Sequence, residues 1–570
     1  MEFLRQKIII PTSFTVLVAA LVFLPRQLSA DSQTILVQVD PLAKILHETS
    51  LFNQFDGSTE VAIGEIASFQ FVLRSPYSLK GVTMYVSPLT NRQGDTLRVT
   101  RKGFVGYVGV GKLAPERAND VVPSASRLYP DPIVEKTSMN VKARCSQPLW
   151  IDIDIPYTTK PGSYTGKVIV RGQQGNHTIT QTCRMHLTVY PVKMDEPELY
   201  ISNMASLNSF LKSYDHGWKY APHYSDLWIE TLRQTALKMK EAHSNTVCIP
   251  PLDYVRVTFK NNRYSFDFSL LDRVIEVFRI VGVLRVFEGG HIAERSGGWD
   301  SNFLVKVPKI SKKGVIWQKH PIRSAVAKRF YSQLMPAIYQ HLRQNYPNVE
   351  YLQHIGDEPI DTNAKSYREI ATYIKKYCPN IKLIEACQTV LLGNIIDVWV
   401  PSLDFYHKHY AFFRQQQAIG KQVWFYTAYL PQANYANRFI ELPTLKTRLL
   451  HWLNFKYGST GYLHWGFNRW VGNPYQETIQ DMGGGIILPG GDSWIVYPSE
   501  SVMLYSSLRL SAMRDGIADY TLLKMLQDKD PQRAIQLCDN IIKDWDSYET
   551  DLVKFRNIRH QLLTALCKTN

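Results

Sequence analysis

The decapeptide Tyr351–Ile360, YLQHIGDEPI, carries an apolar-rich run into two adjacent carboxylates, Asp357 and Glu358, and closes them with Pro359. It reads as a buried strand that the proline stops, because proline cannot donate to a ladder. Outward from it the same alternation repeats. Strand-like runs precede it (ELYISNMASL from 198, NTVCIPPL from 245, VLRVFEGGHI from 283). Others follow it (IKLIEACQT from 381, DVWVPSLDF from 397, KQVWFYTAY from 421, GYLHWGFNRW from 461). Between them lie helical patterns. Trp228, Leu232, Ala236 and Met239 share a helical face, as do Leu334, Ile338 and Leu342. Eight strands, most followed by a helix, predict a (β/α)8 TIM-type barrel over 196–526. The link between strands five and six is too short for a full helix.

Upstream, from 31 to 195, short runs rich in Val, Ile, Thr and aromatics are separated by turn residues, as in KPGSY and RGQQGNH. Trp150, Asp152 and Asp154 alternate with Ile151, Ile153 and Ile155. This is the pattern of an antiparallel β-sandwich. Downstream, 527–570 reads as a small helical C-terminal region. The first 30 residues have the form of an export signal. A basic start (MEFLRQK) leads into an apolar stretch broken by Pro11, and Ser29 and Ala30 offer a cleavage site. The mature protein is therefore expected to be periplasmic or secreted, with no stable membrane insertion.

The 570 residues carry a formal charge of +15, but Lys and Arg are scattered and no nucleic-acid motif occurs. The charge reads as a solvated surface, with attraction to an anionic glycan as the minor alternative. The seven cysteines are widely spaced without a CxxC pair. Cys145 and Cys183 fall in neighbouring strands, which permits one disulfide; free thiols explain the set equally well. No metal cluster, phosphate loop or nucleophile elbow is visible, so no metal and no cofactor is expected.

Catalytic groups of such barrels stand at the C-terminal ends of strands, where Asp357 and Glu358 fall. A helix cap and an ion pair would explain the two acids structurally. As chemistry, two acids suggest glycoside hydrolysis. Ordinary glycosidases need carboxyls ~5–5.5 Å or ~6.5–9.5 Å apart across one sugar ring. Neighbouring residues, whose Cα atoms are ~3.8 Å apart, are poorly placed for that. They suit a route in which one acid protonates the leaving oxygen and the other orients a 2-acetamido group that attacks as an oxazoline. Glu358 is assigned as acid/base and Asp357 as the orienting carboxylate, although the residues alone leave the two exchangeable.

With PLWIDIDIPYTTKPGSYTGKVIV, HIGDEP, DVWVPSLDFY, GKQVWFYTAY, RLLHWLNFKYGSTGYLHWGFNRW and LRLSAMRDGIADY, the chain resembles glycoside hydrolase family 123, the exo-acting β-N-acetylgalactosaminidases, and its wider relatives. The resemblance runs from about Pro148 to Leu523. It implies a sandwich followed by a barrel, and substrate-assisted retaining hydrolysis of a terminal β-linked N-acetylgalactosamine or related N-acetylhexosamine. The family's Asp-Glu pair falls on Asp357 and Glu358, with the roles given above.

A sugar pocket needs aromatic faces and polar groups. Trp399, Trp424, Tyr426, Trp465, Asn468 and Trp470, on the late strands, are the substrate-binding candidates. Tyr426 is the expected donor to the acetamide oxygen, and each aromatic is as readily a core residue. Glu288 and His291, which end strand three before a long loop that runs to about Arg323, are further substrate-binding candidates, and Gly289-Gly290 would let backbone approach a ligand. His354 falls on the face opposite Asp357 and reads as structural, as do Arg514 and Asp515. The alternatives are hydrolysis of a different glycan and non-catalytic glycan binding. The expected partner is a glycan or glycoconjugate, not nucleic acid; the residues leave the oligomeric state undetermined.

Overall fold

The computed structural model describes residues 27–29, 32–55, 57–111, 121–207, 224–311, 314–470, 472–483 and 485–568. Apart from Gln27–Ser29, the segment read as an export signal lies outside the described residues. No described helix is long and apolar enough to cross a membrane.

Eight parallel strands close into a barrel: Tyr200–Asn203, Thr246–Ile249, Val286–Gly289, Glu350–Gln353, Lys382–Cys387, Val398–Pro401, Gln422–Tyr426 and Gly461–His464. Alternation divides each strand between two cores. Val286, Leu352, Ile384, Val398, Val400, Trp424 and Leu463 fill the barrel. Phe287, Tyr351, Leu383, Trp399, Val423, Phe425 and Tyr462 face outward and pack with the helical layer. That layer includes Asp226–Glu241, Ser269–Val281, Ala325–Asn345, Ala364–Tyr377 and Thr444–Tyr457. Ser225 and Ser324 cap two of these helices by accepting from the N–H groups of Trp228 and Ala327. Gly282 and Gly458 end two others in the left-handed conformation (φ 86° and 64°), which a side chain would strain. As the spacing required, strands five and six are joined only by the short turn Gly393–Ile395.

The upstream domain is a two-sheet sandwich whose core takes Phe69, Phe71, Ile151 and Ile153 from one sheet and Val82, Val168, Val170 and Leu187 from the other. Two features depart from the sequence reading. Thr59–Ile63 pairs parallel to His177–Lys193, so the domain is not wholly antiparallel. The first sheet also continues into Leu504–Ser507 and Tyr497–Pro498, strands that follow the barrel's eighth. Both segments are short and lie in a stretch with no sustained alternation. Leu504–Ser507 takes its strand state from pairing with Leu128–Val134, a contact distant in sequence, and Tyr497–Pro498 pairs back onto Leu504–Ser507.

The last helix, Leu552–Lys568, ties the two domains together. Arg559 donates to Asp519 on helix Leu508–Lys529 and to Glu65 of the sandwich. Arg556 makes a two-pronged contact with Asp40 at 2.8 Å. Arg514 is buried and donates to Ser68 of the sandwich and to Asp515, a structural role as read. All seven cysteines are free thiols, so Cys145 and Cys183 are not joined.

Candidate active site

The fourth strand ends at Gln353, and the chain then turns through Gly356 to present Asp357 and Glu358 at the barrel's C-terminal mouth. The turn is clamped from strand five. Glu385, fully buried, accepts through Oε2 from the N–H groups of Ile355 (2.8 Å) and Gly356 (3.1 Å) and from the Tyr367 hydroxyl (2.9 Å). Its other oxygen meets His354 Nδ1 at 2.7 Å, while His354 Nε2 meets Glu288 Oε1 at 2.6 Å. Burial opposes charge on His354, but the carboxylates of Glu385 and Glu288 outweigh it and push its pKa up to about 10. Burial likewise opposes charge on Glu385, yet His354 holds it down at about 2. A buried imidazolium between two carboxylates therefore locks the ends of strands three, four and five together.

Above this clamp the two acids have different surroundings. The Asp357 side chain is 59% exposed; its Oδ1 lies 3.9 Å from His291 Nε2, which is also 3.5 Å from Glu385 Oε1. Glu358 is half-buried and adopts φ +41°, a rare backbone state for a side-chain-bearing residue and one that concentrates at functional sites. Its carbonyl accepts from Arg295 Nη2 at 2.8 Å. Burial, and then the neighbouring charge of Asp357, raise the Glu358 carboxyl to about 7, against the lowering effect of the Tyr426 hydroxyl. A carboxyl in that range is substantially protonated at neutral pH and can both give and take a proton.

The other expected residues divide. Tyr426 does reach the site, but its hydroxyl donates to Glu358 Oε1 and accepts from Gln388 Nε2 at 2.6 Å. A hydroxyl has one proton to give, and in this structure Tyr426 directs it to Glu358. His291 is at the mouth, whereas Glu288 is wholly buried under His354 and touches no open space. Trp399 is an outward-facing core residue, its ring against Phe412 and Phe413. Trp424 points inward as expected, but at the barrel's floor, 0% exposed and stacked on Tyr200 at 5.2 Å. Asn468 is buried and exchanges hydrogen bonds with the backbone of Ser206. Trp470 packs into the core and donates to the Val496 carbonyl at 2.9 Å. Trp465, half-exposed beside Arg469 and donating to Asp492, remains at the mouth.

Two expectations around strand three also change. A Cβ on Gly289 would collide with the Gln353 side chain, and one on Gly290 would stand 2.9 Å from Pro250, so the glycines make room for neighbouring protein groups. The supposed long loop is a three-stranded sheet, Ala293–Arg295, Phe303–Ser311 and Gly314–His320. Glu385, Gln388 and Arg295 were not singled out in the sequence. The signal for Glu385 was present: an acid inside a strand buried on both faces must be paired.

His291, His354 and Glu385 are the one group among the described residues with the types and spacing of metal ligands. Both nitrogens of His354 face carboxylates and its pKa lies near 10, so it carries two protons and has no lone pair for a cation. The donor set does not fit a metal.

A closed parallel barrel presenting a proton-exchanging carboxyl and an open carboxylate at its C-terminal mouth is the architecture of a glycoside-cleaving enzyme. The catalytic-domain model of glycoside hydrolase 123 matches residues 222–526, and the family's N-terminal-domain model matches residues 53–172. The chain belongs to glycoside hydrolase family 123. Among solved structures, a family 123 glycoside hydrolase from Clostridium perfringens, described in terms of glycolipid glycan hydrolysis, superposes with a TM-score of 0.69 at 16% identity. That match covers 94% of this chain and 97% of that one. A β-galacturonidase from Eisenbergiella tayi (TM-score 0.30, 11% identity, 85% and 72% covered) and a β-D-glucuronidase from Dictyoglomus thermophilum (0.32, 8%, 86% and 69%) are far more distant. No curated protein matches the chain.

Proposed function

We propose that this glycoside hydrolase is exo-acting and removes terminal β-linked N-acetylgalactosamine, or a related N-acetylhexosamine, through an oxazoline formed by the substrate's own acetamide. One observation carries the reading: Glu358, raised to about 7, stands beside the exposed Asp357, while Glu288 and Glu385 are sealed against His354. Neither sealed acid can attack an anomeric carbon. Glu358 gives its proton to the glycosidic oxygen as the C1–O bond breaks. The acetamide carbonyl oxygen closes on C1, its N–H held by Asp357, whose charge balances the cationic ring. Glu358, now a carboxylate, takes a proton from the water that opens the oxazoline at C1, and the sugar leaves with its β configuration retained.

Tyr426 fits this cycle as the group that steadies Glu358 while it is ionised. Tyr426→Phe removes a hydrogen bond that lowers the Glu358 pKa, so that pKa rises. The alkaline limb of kcat/KM against pH, where Glu358 loses its proton, is expected to move to higher pH. A limb that stays or moves lower contradicts the pairing.

The membership in family 123 supports the acetamido-sugar class, and the glycolipid glycan hydrolysis described for the Clostridium perfringens relative favours a glycoconjugate as the source. Export is proposed from the basic, apolar and small-residue order of the first 30 residues. The test is parallel hydrolysis of aryl β-N-acetylgalactosaminide, aryl β-N-acetylglucosaminide and plain aryl β-galactoside. Cleavage of an acetamido substrate with the plain galactoside left intact is expected. Comparable turnover of the galactoside sinks the reading.

A further inference from the structure

The geometry points to Trp299 as the stacking platform for the sugar on the leaving-group side of the scissile bond, an inference that rests on the function proposed above. Trp299 is 51% exposed, an unusual state for the largest apolar side chain. It is nevertheless held in place. The Arg295 guanidinium lies over its ring at 3.7 Å from the centroid and is backed in turn by Phe303 at 5.1 Å. One side of the indole is thus covered and rigid, and the exposure belongs to the remainder.

The turn carrying Trp299 is registered to the acid by two pins. Arg295 donates to the Trp299 carbonyl through Nε and to the Glu358 carbonyl through Nη2, both at 2.8 Å. Asn363 donates to the same Trp299 carbonyl at 3.1 Å and accepts from the N–H of Ile360 at 2.9 Å. The turn is closed on itself by Gly297 N–H to Ser301 Oγ (2.8 Å) and Ser301 N–H to the Gly298 carbonyl (3.0 Å). A pre-ordered aromatic face binds the apolar face of a pyranose without first losing side-chain freedom. The acid protonates the oxygen of the departing group, so a platform fixed to Glu358 meets the departing sugar and not the acetamido sugar held by Asp357. The ligand class is a neutral hexopyranose in a di- or oligosaccharide.

The experiment compares Trp299→Ala and Trp299→Phe with the unaltered enzyme on two substrates. One is a set of disaccharides in which β-N-acetylgalactosamine is joined to a neutral hexose through each of its hydroxyls in turn; the other is the N-acetylgalactosamine oxazoline, which has no leaving group. For Trp299→Ala the fall in kcat/KM on a cleaved disaccharide is expected to exceed that on the oxazoline by about tenfold or more, the effect of one lost stacking contact. Trp299→Phe should recover most of it. Equal losses on both substrates would place Trp299 against the acetamido sugar or leave it only a shield for Arg295, and would overturn the platform, as would a disaccharide rate that does not fall. If the unaltered enzyme cleaves no disaccharide and no oxazoline, the function reading itself fails, and the sugar assigned to the platform fails with it.

Discussion

Glu358→Gln is expected to lower kcat/KM for a substrate with a sugar leaving group by about 10²- to 10⁴-fold, the usual contribution of a positioned general acid. The substitution keeps the size of the side chain and the contact from Tyr426 while removing the proton that burial and Asp357 retain near pH 7. The loss should shrink on a dinitrophenyl glycoside, whose leaving group departs without a proton. Asp357→Asn should behave differently. Its charge is needed whichever group departs, so its loss persists on the activated substrate. The check is kcat/KM for both variants across leaving groups of graded acidity. Equal sensitivity of the two variants to leaving-group acidity would contradict the division of roles.

The second large effect concerns stability. Asp519 accepts from Arg448 Nε (2.6 Å) and Nη2 (2.9 Å), from Trp452 Nε1 (3.0 Å) and from Arg559 Nε (2.8 Å), all buried side chains. Asp519→Ala strands these donors and is expected to cost about 3–5 kcal/mol in denaturant unfolding. A cost below about 1 kcal/mol would show that Arg448 finds enough in Asp515, and Arg559 enough in Glu65. Burial opposes the Asp519 charge, but Arg448 and Arg559 hold its pKa down at about 2, against an ordinary 3.8. The native state therefore binds this proton less readily than the unfolded chain. The stabilisation is complete above about pH 4 and is lost as pH falls from there towards 2. The acid limb of the unfolding profile should flatten in Asp519→Ala.

The barrel was legible because each strand carries its own local record. YLQHIGDEPI shows an apolar run, a stop and two acids within ten residues, and the helical spacing from Trp228 to Met239 repeats a face. Alternation correctly placed Trp424 and Tyr426 on one side of strand seven. It could not say how deep along the strand each would sit, and two residues separate the stacked floor at Tyr200 from the mouth at Glu358. Trp399 illustrates the second limit. Aromatic content does not distinguish the outward face of a barrel strand, which is packed by helices, from the inward one. The sandwich strands donated from beyond the barrel, Tyr497–Pro498 and Leu504–Ser507, were illegible for a third reason: they form a very short hairpin, and the pairing that joins it to the sandwich, Leu504–Ser507 on Leu128–Val134, is non-local. Glu385, the residue that shapes the catalytic turn, lay in plain view as an acid in the apolar run IKLIEACQT. Its meaning required His354 and the backbone of Ile355 and Gly356 to be placed against it.

The most direct test of acetamide participation is the rate of hydrolysis of aryl β-galactosaminides whose 2-acyl group is acetyl, difluoroacetyl or trifluoroacetyl. Fluorine withdraws electrons from the carbonyl oxygen that must attack C1 and leaves the ring, the aglycone and Asp357 unchanged. The expected result is a steep fall in kcat with each added fluorine, parallel in the unaltered enzyme and in Tyr426→Phe. A rate insensitive to fluorination would place the nucleophile on the protein and remove the oxazoline from the mechanism.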